Sequence, residues 1–290
     1  MIRKRPEPFD IVNYVLIALV CLIMLYPFLN VASVSFSSYN AYVNNPMMIW
    51  PQEFTLSAYK YIMAKDLLWR SYLNTIIVTA LGVGIGILLY ILTAYPLSKK
   101  ILKGRSALML MVLFTMLFNG GLIPNFYLMR SLGLLDTLSA LILPALISGF
   151  NLILMKNFFE SLPEELEEAA KMDGASDPYI LFRIVVPLSM PIIATLCLFT
   201  AVAYWNNFFN AIIYIRSSEN WPLMLYLREV IEGASAIAQT ANAAEMGDDM
   251  MTSETIKYAT LVLVMVPILC VYPFLQKYFV KGIMLGSVKG

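Results

Sequence analysis

Six stretches of this 290-residue chain carry no side chain that is charged at neutral pH. Ile11 to Phe36, Tyr72 to Ser98, Ser106 to Ile123, Thr137 to Met155, Leu188 to Ile215 and Tyr258 to Gln276 lack Asp, Glu, Lys, Arg and His alike. A helix advances ~1.5 Å per residue, so about 20 apolar residues cross a ~30 Å hydrocarbon layer. Each stretch is close to that length or longer. Sixty per cent of the chain is apolar, against about 45–50% in a soluble domain, and the mean hydropathy is +0.73. The expected fold is therefore all-α and bilayer-embedded, with six transmembrane helices near 11–37, 72–98, 106–123, 137–157, 188–213 and 256–277.

Basic residues in short loops set orientation. With six spans, Arg3, Lys4, Arg5, Lys99, Lys100, Lys103, Arg105, Lys156, Lys171, Arg183, Lys277, Lys281 and Lys289 share one side, thirteen against seven. Both termini are expected to be cytoplasmic. The first span reads as an uncleaved anchor, since its apolar run is long and carries Pro27 and Asn30 ahead of the small residues Ala32–Ser33.

Several function classes drop out. Histidine is absent, which removes imidazole metal sites, histidine triads and histidine proton shuttles. Net charge is +1 with no basic, aromatic-interleaved patch, so nucleic acid is not an expected partner. Cys21, Cys197 and Cys270 are far apart in apolar runs and read as reduced core residues. No G-x-x-x-x-G-K-[ST] occurs, so this chain has no phosphate loop of its own.

Within the spans, Gly82 and Gly86 form a small-xxx-small pair that admits a close neighbour. The fifth span is the most polar, with Tyr204, Trp205, Asn206, Asn207 and Asn210. Aromatic surface beside fixed amides suits a neutral, hydroxyl-rich ligand in a translocation pathway. Hydrogen bonding between helices is the rival reading. The external segments 38–71 and 214–255 are long; the second reads either as a surface loop or as a docking surface for an extracytoplasmic partner.

Against this background one segment stands apart. Glu160, Glu164, Glu165, Glu167 and Glu168 fall within nine residues. Ser161 and Glu164 have the S-x-x-E spacing of a capping box, with Pro163 in the first turn. Asp173-Gly174 is a helix stop, Asp177-Pro178 a restart with aspartate as N-cap, and Pro187 a second stop. Leu162, Leu166, Ala169 and Ala170 make an apolar stripe. The expectation is two short helices at an angle, a shaped acidic plug on the cytoplasmic face.

Glu168-Ala169-Ala170, three residues, Gly174, nine residues, Ile184, one residue, then Val186-Pro187 resembles the EAA-x3-G-x9-I-x-L-P signature of ABC-importer permeases. Val186 stands where the signature has leucine. The C-terminal QKYFVKGIMLGSVKG is similar to the tail of the maltose and multiple-sugar group. FNGGLIPNFYLMRSLGLLDTLSALILP, residues 118–144, resembles the branch that imports complex oligosaccharides with a lipoprotein-like binding protein. The resemblance covers about 70–290.

It implies the type I importer permease fold, divided into 1–70 (tail, first span and external loop), a permease core at 71–279 with the EAA loop at about 158–187, and a tail at 280–290. It further implies ATPase coupling through Glu164, Glu165, Glu168, Ala169, Ala170, Asp173, Gly174, Ala175, Ile184 and Pro187. The implied partners are a second permease, a cytoplasmic ATPase dimer, an extracytoplasmic solute-binding lipoprotein and an oligosaccharide, in a bacterial cell membrane. No cofactor would sit in this chain; ATP and magnesium would be held by the ATPase, and the permease would be no enzyme. An ion-coupled secondary transporter is the rival, and it is disfavoured because such proteins keep ionisable groups at mid-membrane.

Overall fold

A computed structural model describes residues 8–240, 254–271 and 273. The N-terminal Arg3, Lys4 and Arg5, residues 241–253 of the last external segment, and the C-terminal tail lie outside the described residues. All regular structure among the described residues is helical. Three helices are long and apolar enough to cross a bilayer unbroken, and three bent pairs bring the number to six if each is one span. The residues fall into two units, 1–68 with 227–267, and 69–226 with 268–290.

In the first unit, α1 (Pro8–Ser35) carries Pro27 inside it. No residue of its apolar window is buried, as suits a helix whose partner is lipid. The polar residues near its C-terminal end have a definite use. Asn30 donates to the carbonyls of Pro46 and Met48, both at 2.9 Å, and Ser33 donates to Ile49. Phe36 stacks on Phe54 and Tyr59. The segment after α1 therefore folds back on it through two short helices, α2 (Tyr39–Asn44) and α3 (Ser57–Met63).

The second unit is organised on α4 (Asp66–Ser98), one unbroken 33-residue helix. Gly82, Gly86 and Tyr90 recur every four residues and so share one face. Each seats a different neighbour. A Cβ at Gly82 would lie 2.4 Å from the Tyr204 ring, and one at Gly86 would lie 3.0 Å from the Leu146 carbonyl. The buried Tyr90 hydroxyl accepts from the Ser148 backbone N–H at 2.8 Å. The small-xxx-small pair is a genuine close approach, whereas a Cβ at Gly84 would meet nothing within 4 Å.

The other spans are interrupted. α5 (Arg105–Leu117) turns by 112° into α6 (Leu122–Ser131), through Gly121 at φ 89°. α7 (Ser139–Ala145) bends by 50° into α8 (Gly149–Glu160). After α9 (Glu164–Met172), α10 (Asp177–Leu188) bends by 79° into α11 (Met190–Trp205), which breaks at 206–208 before α12 (Phe209–Tyr214). The chain continues in α13 (Leu223–Thr240) and α14 (Glu254–Val271). So the expected third, fourth and fifth spans exist as apolar segments but not as single straight helices. The cysteines are free, yet Cys21 and Cys270 are exposed rather than in a core; an apolar thiol on a lipid-facing surface needs no burial.

Asp136 ties two connections of this unit together. It has φ 61°, a left-handed conformation that aspartate tolerates better than most residues. Its carboxylate accepts from the backbone N–H groups of Arg216 and Ser217, both at 2.9 Å, and from the Ser217 hydroxyl. Its own N–H donates to the Tyr214 carbonyl at 2.8 Å. The hydrogen bonds from Ser217, then from Arg216, hold its carboxyl at about 2, below the ordinary value of 3.8.

Candidate coupling site and pathway

The acidic knuckle is two short helices, as expected, but its ends are built differently. Ser161 does not cap α9. It sits at φ −82°, ψ −9° as the closing residue of α8, and its hydroxyl donates to the Phe158 carbonyl at 2.7 Å. An N-cap needs extended backbone, and here Pro163, at ψ 125°, supplies it. The other end follows the expected geometry closely. Gly174 has φ 81°; its N–H donates to the Lys171 carbonyl, and that of Ala175 to the Ala170 carbonyl, both at 3.0 Å. That pair of bonds is a Schellman closure. Ala170 and Ala175 pack against the buried cluster of Tyr95, Phe159 and Ile180, so two of the motif's small residues let the turn lie flat on the core.

Asp177 takes the first helical position rather than the cap, which falls to the extended Ser176, and it pairs with Lys171 at 3.4 Å. Pro187, expected to end the second helix, lies inside it. The turn before it, Leu181–Val185, widens into a π-helical turn that contains the half-buried Ile184. A proline removes one backbone donor, and a widened turn accommodates the loss. The bend comes two residues later, at Ser189.

The glutamates separate into two groups. Glu165, Glu168, Ala169 and Met172, at i, i+3, i+4 and i+7, form one exposed face, and Met172 is 89% exposed. Glu164 is exposed beside them. Glu167 turns inward, and Glu160 is engaged by basic side chains at the end of α8. Glu167 pairs with Lys99, and Glu160 is held between Arg105 and Lys156. The apolar stripe divides likewise: Leu162 and Ala170 pack on the core, while Ala169 and Leu166 remain exposed. Sequence spacing alone could not assign these roles, because Lys99 lies 68 residues from its partner.

The polar segment of the fifth apolar stretch coincides with the break between α11 and α12. Asn206 is exposed, and Asn207 and Asn210 are half-buried. The Asn207 side chain accepts from the Asn210 N–H at 3.4 Å. Trp205 buries its indole N–H without a partner among the described residues. Tyr204, expected in the same pathway set, is engaged in packing. Its ring is 4% exposed, and its hydroxyl donates to the Ile142 carbonyl at 2.9 Å, so it serves the packing against Gly82.

Comparison with known proteins identifies the family. The family of binding-protein-dependent transport system inner membrane components matches residues 9–285. The polygalacturonan/rhamnogalacturonan transport system permease protein YtcP of Bacillus subtilis (strain 168) is 45% identical over 283 residues, 97% of this chain and 98% of that protein. Protein LplC of the same organism is 45% identical over 287 residues, 99% and 97% of the two chains. Among solved structures, a chain of a bacterial ABC transporter involved in the import of the acidic polysaccharide alginate superposes with a TM-score of 0.83 at 38% identity, covering 93% of this chain and 96% of that one. The chain belongs to the family of binding-protein-dependent transport system inner membrane components and is the non-catalytic permease subunit of an ABC importer of oligosaccharides.

Proposed function

We propose that the exposed face of α9 docks into a cytoplasmic ATPase dimer, and that this chain forms half of a pathway completed by a second, related permease. ATP and magnesium are bound by the ATPase. An extracytoplasmic binding protein delivers the sugar to the opposite side, and both termini lie in the cytoplasm. The observation that carries the docking is the division of the glutamates. Glu165, Glu168 and the apolar Met172 stand exposed on one stripe, held by a closed turn at Gly174. An apolar side chain ringed by acid fits a cleft with a basic rim.

Sugar passes the break at 206–208, where irregular backbone is tolerated beside a cavity and where the asparagine amides can meet hydroxyl groups. The substrate is an acidic oligosaccharide, a reading supported by the polygalacturonan of one relative's name and the alginate of the structural neighbour.

Charge reversal tests the docking. Glu168→Lys places like charge at the contact, and loss of a desolvated partner costs about 2–5 kcal/mol. The ATPase should then dissociate on purification, and a compensating acid on the ATPase should restore it. An undiminished complex would remove the docking assignment.

A further inference from the structure

We propose that Lys99 and Glu167 form a positioning joint that makes α4 the rod carrying movement of the coupling helix to the breaks in two neighbouring spans. The inference rests on the ATPase docking proposed for α9. Lys99 is the residue immediately after α4 ends at Ser98. Its ammonium pairs with Glu167 on the inward face of α9 and lies 4.8 Å from the centre of the Tyr95 ring. The Tyr95 hydroxyl donates to the same carboxylate at 3.4 Å. The pair is sheltered: the side chains are 30% and 12% exposed, against 55% and 69% for the surface pair Lys171–Asp177.

A second tie runs parallel. Glu160 binds Arg105, whose Nε donates to the Leu97 carbonyl at 2.8 Å, again at the end of α4. Between α9 and the 99–105 turn lies a polar cavity of about 730 Å³, so these charges bridge a gap that packing leaves open.

The other end of the rod meets structure that can move. Gly82, Gly86 and Tyr90 seat Tyr204, Leu146 and Ser148, next to the breaks of the α11–α12 and α7–α8 pairs. Gly82 and Ser98 are sixteen positions apart on one unbroken helix, about 24 Å, with one backbone donor missing at Pro96. The alternative route, from α9 through α10, contains the π-helical turn and a 79° bend and is the more compliant one.

The test uses the assembled importer in lipid, with its ATPase and binding protein. Lys99→Ala and Glu167→Gln should keep the ATPase bound and hydrolysing, while sugar imported per ATP falls at least about fivefold, as expected for loss of a coupling between sites. The exchanged pair Lys99→Glu with Glu167→Lys should recover most of that loss. Spin labels replacing Ile101 and Leu166, both exposed and off the proposed docking face, should give one narrow distance, unchanged by ATP, that broadens in Lys99→Ala. Unchanged import per ATP, no recovery in the exchanged pair, release of the ATPase by the single variants, or a wild-type label distance that shifts with ATP would each overturn the joint. The label distance is independent of where the ATPase binds, so failure of the docking, seen with Glu168→Lys, is distinguishable from failure of the joint.

Discussion

Alanine at Gly82 would place a methyl carbon 2.4 Å from the ring of Tyr204. The ring has little room to retreat: it is packed with Val78, Ile142 and Ala211, and its hydroxyl is held by the Ile142 carbonyl at 2.9 Å. Overfilling a packed core costs about 1–3 kcal/mol, and drawing the hydroxyl off its acceptor adds about 0.5–1.5 kcal/mol. Alanine gains back about 0.5–1 kcal/mol over glycine in a helix interior. A net destabilisation of about 2 kcal/mol, roughly thirtyfold in the folded ratio, follows. Gly84→Ala meets nothing within 4 Å and should keep only the helix gain. Gly86→Ala, 3.0 Å from a backbone carbonyl, should fall between.

The assay is reversible unfolding in mixed micelles with graded SDS, followed by circular dichroism. Tyr204→Leu should cost less in the Gly82→Ala background than in the wild type, because neighbours in contact are not additive. Equal stability of the Gly82 and Gly84 variants, or strict additivity with Tyr204→Leu, would refute the interlock.

Three further outcomes are expected. Asp136 has a depressed pKa, so its contribution is complete above 3.8 and is lost as pH falls through about 2; Asp136→Asn should raise hydrogen exchange at Arg216 and Ser217 at neutral pH and abolish the loosening otherwise seen between those two values. Asn207→Ala and Asn210→Ala should lower uptake while the importer still assembles, whereas loss of assembly would return both residues to a packing role. Cysteines at Asn40 and Ser131 should react with an impermeant reagent from outside, and cysteines at Lys103 and Ser176 only from inside; the reverse pattern would invert the topology.

The charge-free runs made the spans legible because a bilayer filters on length and polarity, both of which are local. The breaks at 118–121, 146–148 and 206–208 were not legible, since hydropathy averages across a bend. Gly174 could be read directly: a left-handed closure demands a residue type. Ser161 could not, because the same hydroxyl serves equally well to close the preceding helix. The packing of Tyr204 was not legible either, since Gly82, more than a hundred positions away, accepts its ring. The inward turn of Glu167 likewise depends on Lys99, a partner that no spacing rule connects to it.

Among the described residues, every ion pair of the second unit, from Arg70–Glu219 to Lys171–Asp177, lies in a connection or near a helix end. The apolar spans between them can tilt or slide without carrying charge through the membrane field. The charge-free spans of this chain contribute no gating charge. At ~2.3 kcal/mol per elementary charge per 100 mV, the transmembrane voltage acts only on the cargo: a neutral sugar crosses without electrical work, whereas each carboxylate of a uronate is driven inward against an interior-negative potential. The electrical cost of import is therefore set by the sugar rather than by the protein.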